Sequence, residues 1–545
     1  MSLLLALSAC KPTVPALDPV EPQPELVYDH LLEVEIELDP DDWDELRLQS
    51  RDFFDILGGE DCQEESYGSP FTWFEGSVTL DGQRFERVDV RKKGFLGSLS
   101  EDKPALKLDL VEFEDQDFHG VERLTLNNSH SDPSLVRQCL GYGYFDDAGL
   151  PASRCGFATV SVNGDDLGLY VNVEPIKDPI LERNFGDASG NLYELTLSDF
   201  RPEWTGTIEK KNNEAEDDWS DIDALVSALQ VDDDELLDAL DDVVDVEAFA
   251  DHWAAEVLIN HVDGYAWNTN NTYIYAAPGD GGRFRFIPWG IDEAFAQTEE
   301  GLPSVYAFGQ LANRLYDHPE GRQIYLDAMN AQLAGPWDES VLLGRIDTWE
   351  ELLEPELDSE ERETVFESIE QVRGVVEGRR SDLEPALGEE WPYGQRDSFC
   401  MQLVGGIDAS FDTWWGSIEM IDPFSTDNAE LVVDLGDETF APEETGAVAG
   451  WSEEGEPVLY LVSWISPTEI LLVYFVAEPE LFAPGVVEVD LDQSVAALFY
   501  YETETMEDFE LLSYVLGDVE FEEAGTEDGD PLVGTMDAQL LTWGW

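Results

Sequence analysis

The hydrophobic period changes twice along this chain, and each period dictates a different element. From about residue 30 to 180 apolar side chains recur at every second position; from about 214 to 386 they recur at helical spacing; from about 390 to 545 the alternation returns. Period two lines one face of a strand, and a 3.6-residue period lines one face of a helix, so neither pattern is buried well by the other element. The predicted class is therefore α+β, with strands and helices segregated along the chain. At 545 residues the chain also exceeds what one core holds, roughly 250–300 residues.

Local signals fill in this outline. Residues 32–38 (LEVEIEL) read as a half-buried strand, and Asp39-Pro40-Asp41-Asp42 opens a helix to about Ser50. Residues 75–93 read as a hairpin turning at Asp81-Gly82, and 105–111 as a strand. A helix is predicted over 133–148, followed by a second hairpin with Asn163-Gly164 at its tip. Helical spacing covers 218–243, 246–260 (with Asp245 as N-cap), 306–331 and 338–386. A strand pair, Thr272–Ala276 and Phe284–Pro288, interrupts that half. Residues 390–545 read as a separate all-β module, with a sandwich as the expected arrangement.

Charge excludes whole classes of partner. The chain has 121 Asp+Glu against 28 Lys+Arg, a formal net charge of -93. Such a surface repels a phosphate backbone and anionic headgroups, so nucleic-acid binding and polybasic membrane docking are excluded. The acids read first as a solvated surface suited to high salt, and second as service to divalent cations or basic partners.

The N-terminus carries a different membrane signal. Leu7-Ser8-Ala9-Cys10 resembles the lipobox of bacterial lipoproteins, in which the cysteine is acylated. Pro12, Pro15, Pro19, Pro22 and Pro24 then read as an extended tether, so residues 1–29 are expected to be signal and tether. The expected location is the cell envelope, facing the periplasm or exterior. No other stretch reaches about 18 consecutive apolar residues. The remaining cysteines, Cys62, Cys139, Cys155 and Cys400, suit two disulfides; Cys139 and Cys155 flank one predicted helix and are the favoured pair.

One stretch has the parts of a phosphoryl-transfer site. His261 to Asn271 (HVDGYAWNTNN) follows an apolar helix and precedes a strand; a second strand ends in Phe286-Ile287-Pro288-Trp289-Gly290-Ile291-Asp292. Such chemistry needs one Asp to orient the nucleophile, and an Asn and a second Asp to hold a divalent metal against phosphates. Asp263 and Asn268 are five apart, the spacing of a kinase catalytic loop. Arg91, Lys93, Lys103 and Lys107 concentrate scarce positive charge between positions 91 and 107, beside Gly94 and Gly97. The plainer readings are an Asp-Gly turn at Asp263, an N-cap at Asp292 and snorkelling surface lysines. Asn127-Asn128 read equally as cleft or tight turn, while His261, Trp267 and Trp289 read as packing residues.

Several motifs in one order resemble a known family. They are VRKKGFLGSLS (Val90–Ser100), KPALKLDL, GVERLTLNNSHSDPSLVRQCL, AGLPASRCGFATVSVNGDDLGLYVNVEPI, NNTYIY and FIPWGID. Over about residues 30–390 the chain resembles the spore-coat-protein-H-like (CotH) kinase family. The resemblance implies a protein-kinase-like bilobal fold over 30–389, with an N-lobe sheet over about 30–180 and a helical C-lobe over about 181–389. It implies ATP with Mg²⁺ or Mn²⁺, and transfer of phosphate to Ser or Thr of a surface or envelope protein. By position Asp263 is the catalytic Asp. Asn271 is the metal-binding Asn, with Asn268 and Asn270 as rivals, and Asp292 is the metal-binding Asp. Arg91, Lys93, Lys103 and Lys107 are the cations for the phosphates, and Glu174 is expected at the hinge or paired with a lysine. Many members carry Trp-Asp-x-Asp where this chain has Trp289-Gly290-Ile291-Asp292, so one carboxylate is missing. The alternative is therefore a non-catalytic surface lipoprotein that keeps the scaffold. A metal-dependent hydrolase is disfavoured, because the six histidines supply no second His/Asp cluster.

Overall fold

The computed structural model describes residues 23–543, apart from 52–55, 59–61, 96, 298–303, 385–386, 388–398, 437, 453–454, 490–493 and 504–508. Cys10 and the prolines up to Pro22 lie outside the described residues. Within the span expected as tether, Pro24–Val27 forms a 3-10 turn, and Val27 is fully buried, its carbonyl accepting from Asn172 Nδ2 at 3.1 Å. The apolar pair Val27-Tyr28 docks into the first core, so residues 24–28 belong to the folded unit.

The first seven strands are β1 (Leu31–Glu37), β2 (Phe74–Leu80), β3 (Gln83–Lys93), β4 (Ala105–Asp109), β5 (Arg123–Asn127), β6 (Cys155–Val162) and β7 (Asp165–Val173). They close in the order β1-β2-β3-β4-β5-β7-β6. This corrects the expected N-lobe of antiparallel sheet: β1 pairs β2 antiparallel and β6 parallel, from Leu31–Phe157 to Ile36–Val162, so the sheet becomes a barrel without an edge. The alternation of β1 drives closure. Leu32, Val34 and Ile36 are buried with Val78, Leu80, Val90 and Val160, while Glu33, Glu35 and Glu37 face water. Both hairpin tips have positive φ at their two central residues: Asp81 (46°) and Gly82 (77°), Asn163 (54°) and Gly164 (88°).

The helical half builds on Val246–Leu258, which Asp245 caps by accepting from Ala248 N. Trp253 stacks on Tyr325 of the helix Pro319–Ala334 with ring centroids 3.8 Å apart. The expected helix over 218–243 is broken into Ser220–Ala228 and Leu236–Asp241, because the acids Asp232–Asp234 favour a turn and a new start. The long C-terminal helix of this half is Ser359–Leu383. The predicted strand pair belongs to a four-stranded sheet in the order β11-β10-β8-β9: β8 (Leu192–Leu195), β9 (Glu209–Lys210), β10 (Thr272–Ala277) and β11 (Arg283–Pro288). No helix among the described residues is long and apolar enough to cross a membrane.

Ten strands, β12 (Met401–Trp414) to β21 (Pro531–Trp543), follow in one continuous sheet. The sandwich expectation gives way to a ring. The strand β13 (Ala429–Leu435) pairs β15 (Thr445–Trp451) on one side and β12 on the other, so the sheet meets itself around one core with Phe411, Leu461, Val473 and Leu540. Cys139–Cys155 joins the helix Arg137–Asp147 to β6, with Cα atoms 5.1 Å apart. Cys62–Cys400 joins the loop before β2 to the start of the ring, 338 residues on.

Ile36 is 1% exposed at the closing seam of the barrel. Ile36→Ala is expected to cost about 2–5 kcal/mol, measured as a lower urea midpoint for barrel unfolding.

Candidate active site

Strand register places the basic cluster. On β3, Val88, Val90 and Lys92 point into the barrel side, and Asp89, Arg91 and Lys93 point away. On β4, Leu106 and Leu108 are inside and Lys107 is on the other face. The register sets Arg91 opposite Lys107 and Lys93 opposite Ala105, so three of the four expected cations share one face. That face is one wall of a cavity of about 230 Å³, which Asp263, Asn271 and Asp292 also line. The short sheet supplies a further wall, with Glu194 on β8 and Glu209 on β9.

The loop after the helix Val246–Leu258 carries Asp263. Its backbone is fixed by Glu256, a fully buried carboxylate that accepts from Tyr265 N at 3.0 Å and Ala266 N at 2.9 Å. Gly264 is required there, since a Cβ would meet Glu256 Oε1 at 2.6 Å. His261 is buried beside it, and burial lowers its pKa to about 4, which keeps the ring neutral in a packing role. The Asp263 carboxylate accepts from Asn268 Nδ2 at 2.6 Å, from Asn270 Nδ2 at 3.1 and 3.2 Å, and from Asn271 Nδ2. Burial first, and Glu293 second, push its pKa to about 7 against the opposing amide hydrogen bonds. Asn268 is thus a donor to Asp263 within this cluster.

The cations are poor in partners. Glu194 and Glu209 are both taken by Lys211, whose Nζ lies 2.7 and 2.6 Å from them. Among the described residues Arg91, Lys93, Lys103 and Lys107 form no ion pair, in a chain with 121 acids. Arg91 lies over Trp73, 4.7 Å from the ring centroid, and its Nε is buried without a partner. Lys93 Nζ donates to Asn127 Oδ1 and sits 5.7 Å from the Trp289 ring centroid. Burial pulls Lys93 down to about 8, opposed by Asp292, and Lys107 down to about 7, opposed by Glu194. Cations that are desolvated on one wall and not ion-paired with the acids of the other walls are suited to receive an anion.

Three expected residues stand outside this cavity lining: Asn268, Lys103 and Glu174. Lys103 Nζ lies 5.3 Å from the Tyr170 ring centroid. Glu174 is occupied by Arg183, with both oxygens at 2.6 Å, and by Arg154, so its partners are two arginines rather than a lysine.

A model of the CotH kinase protein family matches residues 90–381, more than half of the chain. The chain belongs to the CotH kinase family. It is 25% identical over 230 residues to inner spore coat protein H of Bacillus subtilis (strain 168), covering 39% of this chain and 62% of that protein. It is 36% identical over 67 residues to an inner spore coat protein H-like protein of the same organism, covering 12% of this chain and 22% of that one. The chain therefore spans less than two thirds of the length of these relatives. Among solved structures it is similar to the Helicobacter pylori proinflammatory kinase CtkA (12% identity, 54% of this chain and 95% of that one, TM-score 0.28). It is also similar to the Shewanella oneidensis MR-1 toxin–antitoxin HipA, HipB and operator DNA complex (11%, 70% and 77%, TM-score 0.30). At these TM-scores the structural likenesses carry no argument.

The departure from the CotH family's Trp-Asp-x-Asp has a local cause. Gly290 has φ +51°, and a Cβ there would meet Asn271 Oδ1 at 2.4 Å. The Asn271 amide occupies the space that a side chain at 290 would need. Asp292 and Asn271 line the same cavity, and a carboxylate with an amide oxygen is a donor set that Mg²⁺ accepts when water and phosphate oxygens complete its shell. No cluster of three His, Cys, Asp or Glu suited to a metal is present among the described residues.

Sequence reasoning missed Arg51, Glu194, Glu209, Lys211 and Glu293, all lining the same cavity. It weighed Asn127 and Asn128 and left them open. Both line the cavity, Asn128 donating to Ser98 O and Lys103 O.

The raised Asp263 pKa has a sign. Between the unfolded value near 3.8 and the folded value near 7, the folded state holds a proton that the unfolded state has lost, so this group's contribution falls as pH rises through that window. Asp263→Asn is expected to gain stability relative to the parent between pH 4 and pH 8, read from paired thermal melts.

Proposed function

We propose that this chain is an atypical kinase that binds ATP with Mg²⁺ or Mn²⁺ in this cavity and transfers the γ-phosphate to a Ser or Thr hydroxyl of a surface or envelope protein. The observation that carries the reading is the convergence of Asp263, Asn271 and Asp292 with desolvated, unpaired Arg91, Lys93 and Lys107 around one cavity. In this reading the barrel and the helical half are the two lobes of a kinase-like unit over 30–389, and 390–545 is an accessory unit. Lys93, Lys107 and Arg91 grip the phosphates, and an arriving anion restores the charge that burial takes from the two lysines. Asp263, with a pKa near neutrality, accepts the hydroxyl proton at a carboxylate oxygen. Asp292 and Asn271 would hold a divalent metal, which would supply neutralisation of the charge that develops on the phosphates. Acylation at Cys10 tethers the chain to a bacterial membrane at the cell envelope, and nucleic acid is not a partner.

A second reading is a non-catalytic binding protein that keeps the scaffold. It draws on the Asp263 carboxylate being shared by three asparagine amides, and on Gly290 standing where many members carry an acid.

Calorimetric titration of ATP with Mg²⁺ or Mn²⁺ in high salt separates the two. Metal-dependent binding that Asp292→Asn abolishes is expected, with Lys107→Met weakening it by about tenfold or more, the scale of a charge-assisted hydrogen bond. Absence of binding with either metal in the folded chain overturns the kinase reading.

A further inference from the structure

Part of the cavity wall comes from outside the residues that the family model matches. Arg51, Tyr67, Ser69 and Phe71 line it, all before position 90. Arg51 is held in place from several sides. Its guanidinium donates to Tyr67 O at 3.5 Å and to Gly68 O at 2.5 Å, and lies 5.0 and 5.7 Å from the ring centroids of Phe95 and Phe71. Its Nε is buried without a partner, and it forms no ion pair among the described residues. Backbone carbonyls orient the group, Glu209 and Glu194 act on its charge without an ion pair among the described residues, and it shares the cavity with Arg91 and Lys107.

The start of the C-terminal ring secures this wall. Cys62 is bonded to Cys400, and Gly58 bridges Met401. Phe399 N donates to Gln63 Oε1 at 3.3 Å, while Gln63 Nε2 donates to Leu197 O at 3.2 Å. Trp204 packs on Phe399 with centroids 4.9 Å apart. One small apolar cluster takes Ile56 and Leu57 from the wall segment, Leu197 and Trp204 from the helical half, and Phe399, Met401 and Leu541 from the ring; Tyr67 and Phe95 pack against it. Tyr67 and Phe95 touch each other with centroids 5.5 Å apart, and both line the cavity.

We propose that Arg51 is an additional anion-binding residue of the cavity, and that the C-terminal ring, through the Cys62–Cys400 clamp, holds the wall that presents it. This assigns the ring a task that the sequence left open. The ligand class, a nucleoside triphosphate bound through its phosphates, rests on the function proposed above.

The test uses the full chain in high salt and two probes, ATP with Mg²⁺ and inorganic tripolyphosphate, by calorimetry. Arg51→Gln is expected to weaken both by about tenfold or more. The double variant Cys62→Ser/Cys400→Ser is expected to weaken both and to speed amide hydrogen exchange over 62–71 and 94–98, with 155–173 still protected. Should that variant fail to fold, Gln63→Leu keeps the disulfide, removes the hydrogen bonds that tie it to Phe399 and Leu197, and is expected to shift both readouts in the same direction. Parent-like affinity in Arg51→Gln overturns the role of Arg51. Parent-like exchange and affinity in the clamp variants overturn the role of the ring. Tripolyphosphate binding without ATP binding supports the wall while removing the kinase reading, and binding of neither probe by the parent overturns both.

Discussion

The β3–β4 register sets Arg91 directly opposite Lys107, two like charges in neighbouring positions of a ladder, an arrangement that costs stability by itself. The register cannot relax by slipping. Val90, Leu106 and Leu108 occupy the opposite face in the barrel core, and a one-residue shift would carry them to the cleft. Closure through the parallel β1–β6 pair removes the edge from which slippage could start. The barrel core thus forces positive charge into the cavity, and Lys211 holds Glu194 and Glu209 in direct ion pairs, so that Arg91 and Lys107 feel these acids without pairing with them. The placement of Asp263 depends on a second fixed point, the two amide hydrogens received by Glu256, which anchor the loop to the largely buried helix Val246–Leu258.

Much of this was legible in the sequence, and the failures have identifiable physics. The long alternating runs and the two hairpin tips were readable because their period and turn chemistry are local. The shared place of Asp263, Asn271 and Asp292 was readable because each lies in a short loop beside an element with a clear pattern, and that of Arg91, Lys93 and Lys107 because basic residues are rare in this chain. Barrel closure was not readable, since parallel pairing of Leu31–Ile36 with Phe157–Val162 links segments more than a hundred residues apart and leaves no local trace. Glu194 and Glu209 were missed because β8 has four residues and β9 two, too short to show a period. Glu174 was misplaced because a strand-end glutamate reads the same whether arginines or lysines reach it; Arg154 and Arg183 arrive from different elements. Gly290 looked like a simple loss, and its meaning emerges only beside Asn271.

The cavity and the surface differ in charge balance. Far from the molecule an anion meets a net charge of -93 and is repelled; on the β3–β4 wall of the cavity it meets Arg91, Lys93 and Lys107, with acids confined to the other walls. Salt acts unequally on the two. It screens exposed charges over about 10 Å at 0.1 M and about 3 Å at 1 M, and reaches buried groups much less. High ionic strength therefore lowers the outer barrier while sparing most of the inner attraction, which ties the acidic surface and the basic cavity to the same salt regime.

The Cys62–Cys400 bond spans 338 residues, and that separation has a temporal meaning. A ribosome working at about 5–20 residues per second needs roughly 17–70 s to make the second cysteine after the first. The remaining barrel strands and the loop bearing Asp263 are made within that interval, ahead of Cys400, while the wall next to Tyr67 still lacks its covalent tie. The cavity is therefore finished last, and only where an oxidant is present. A chain whose Cys62 and Cys400 are still reduced carries the groups of the site without this covalent tie between the wall and the ring.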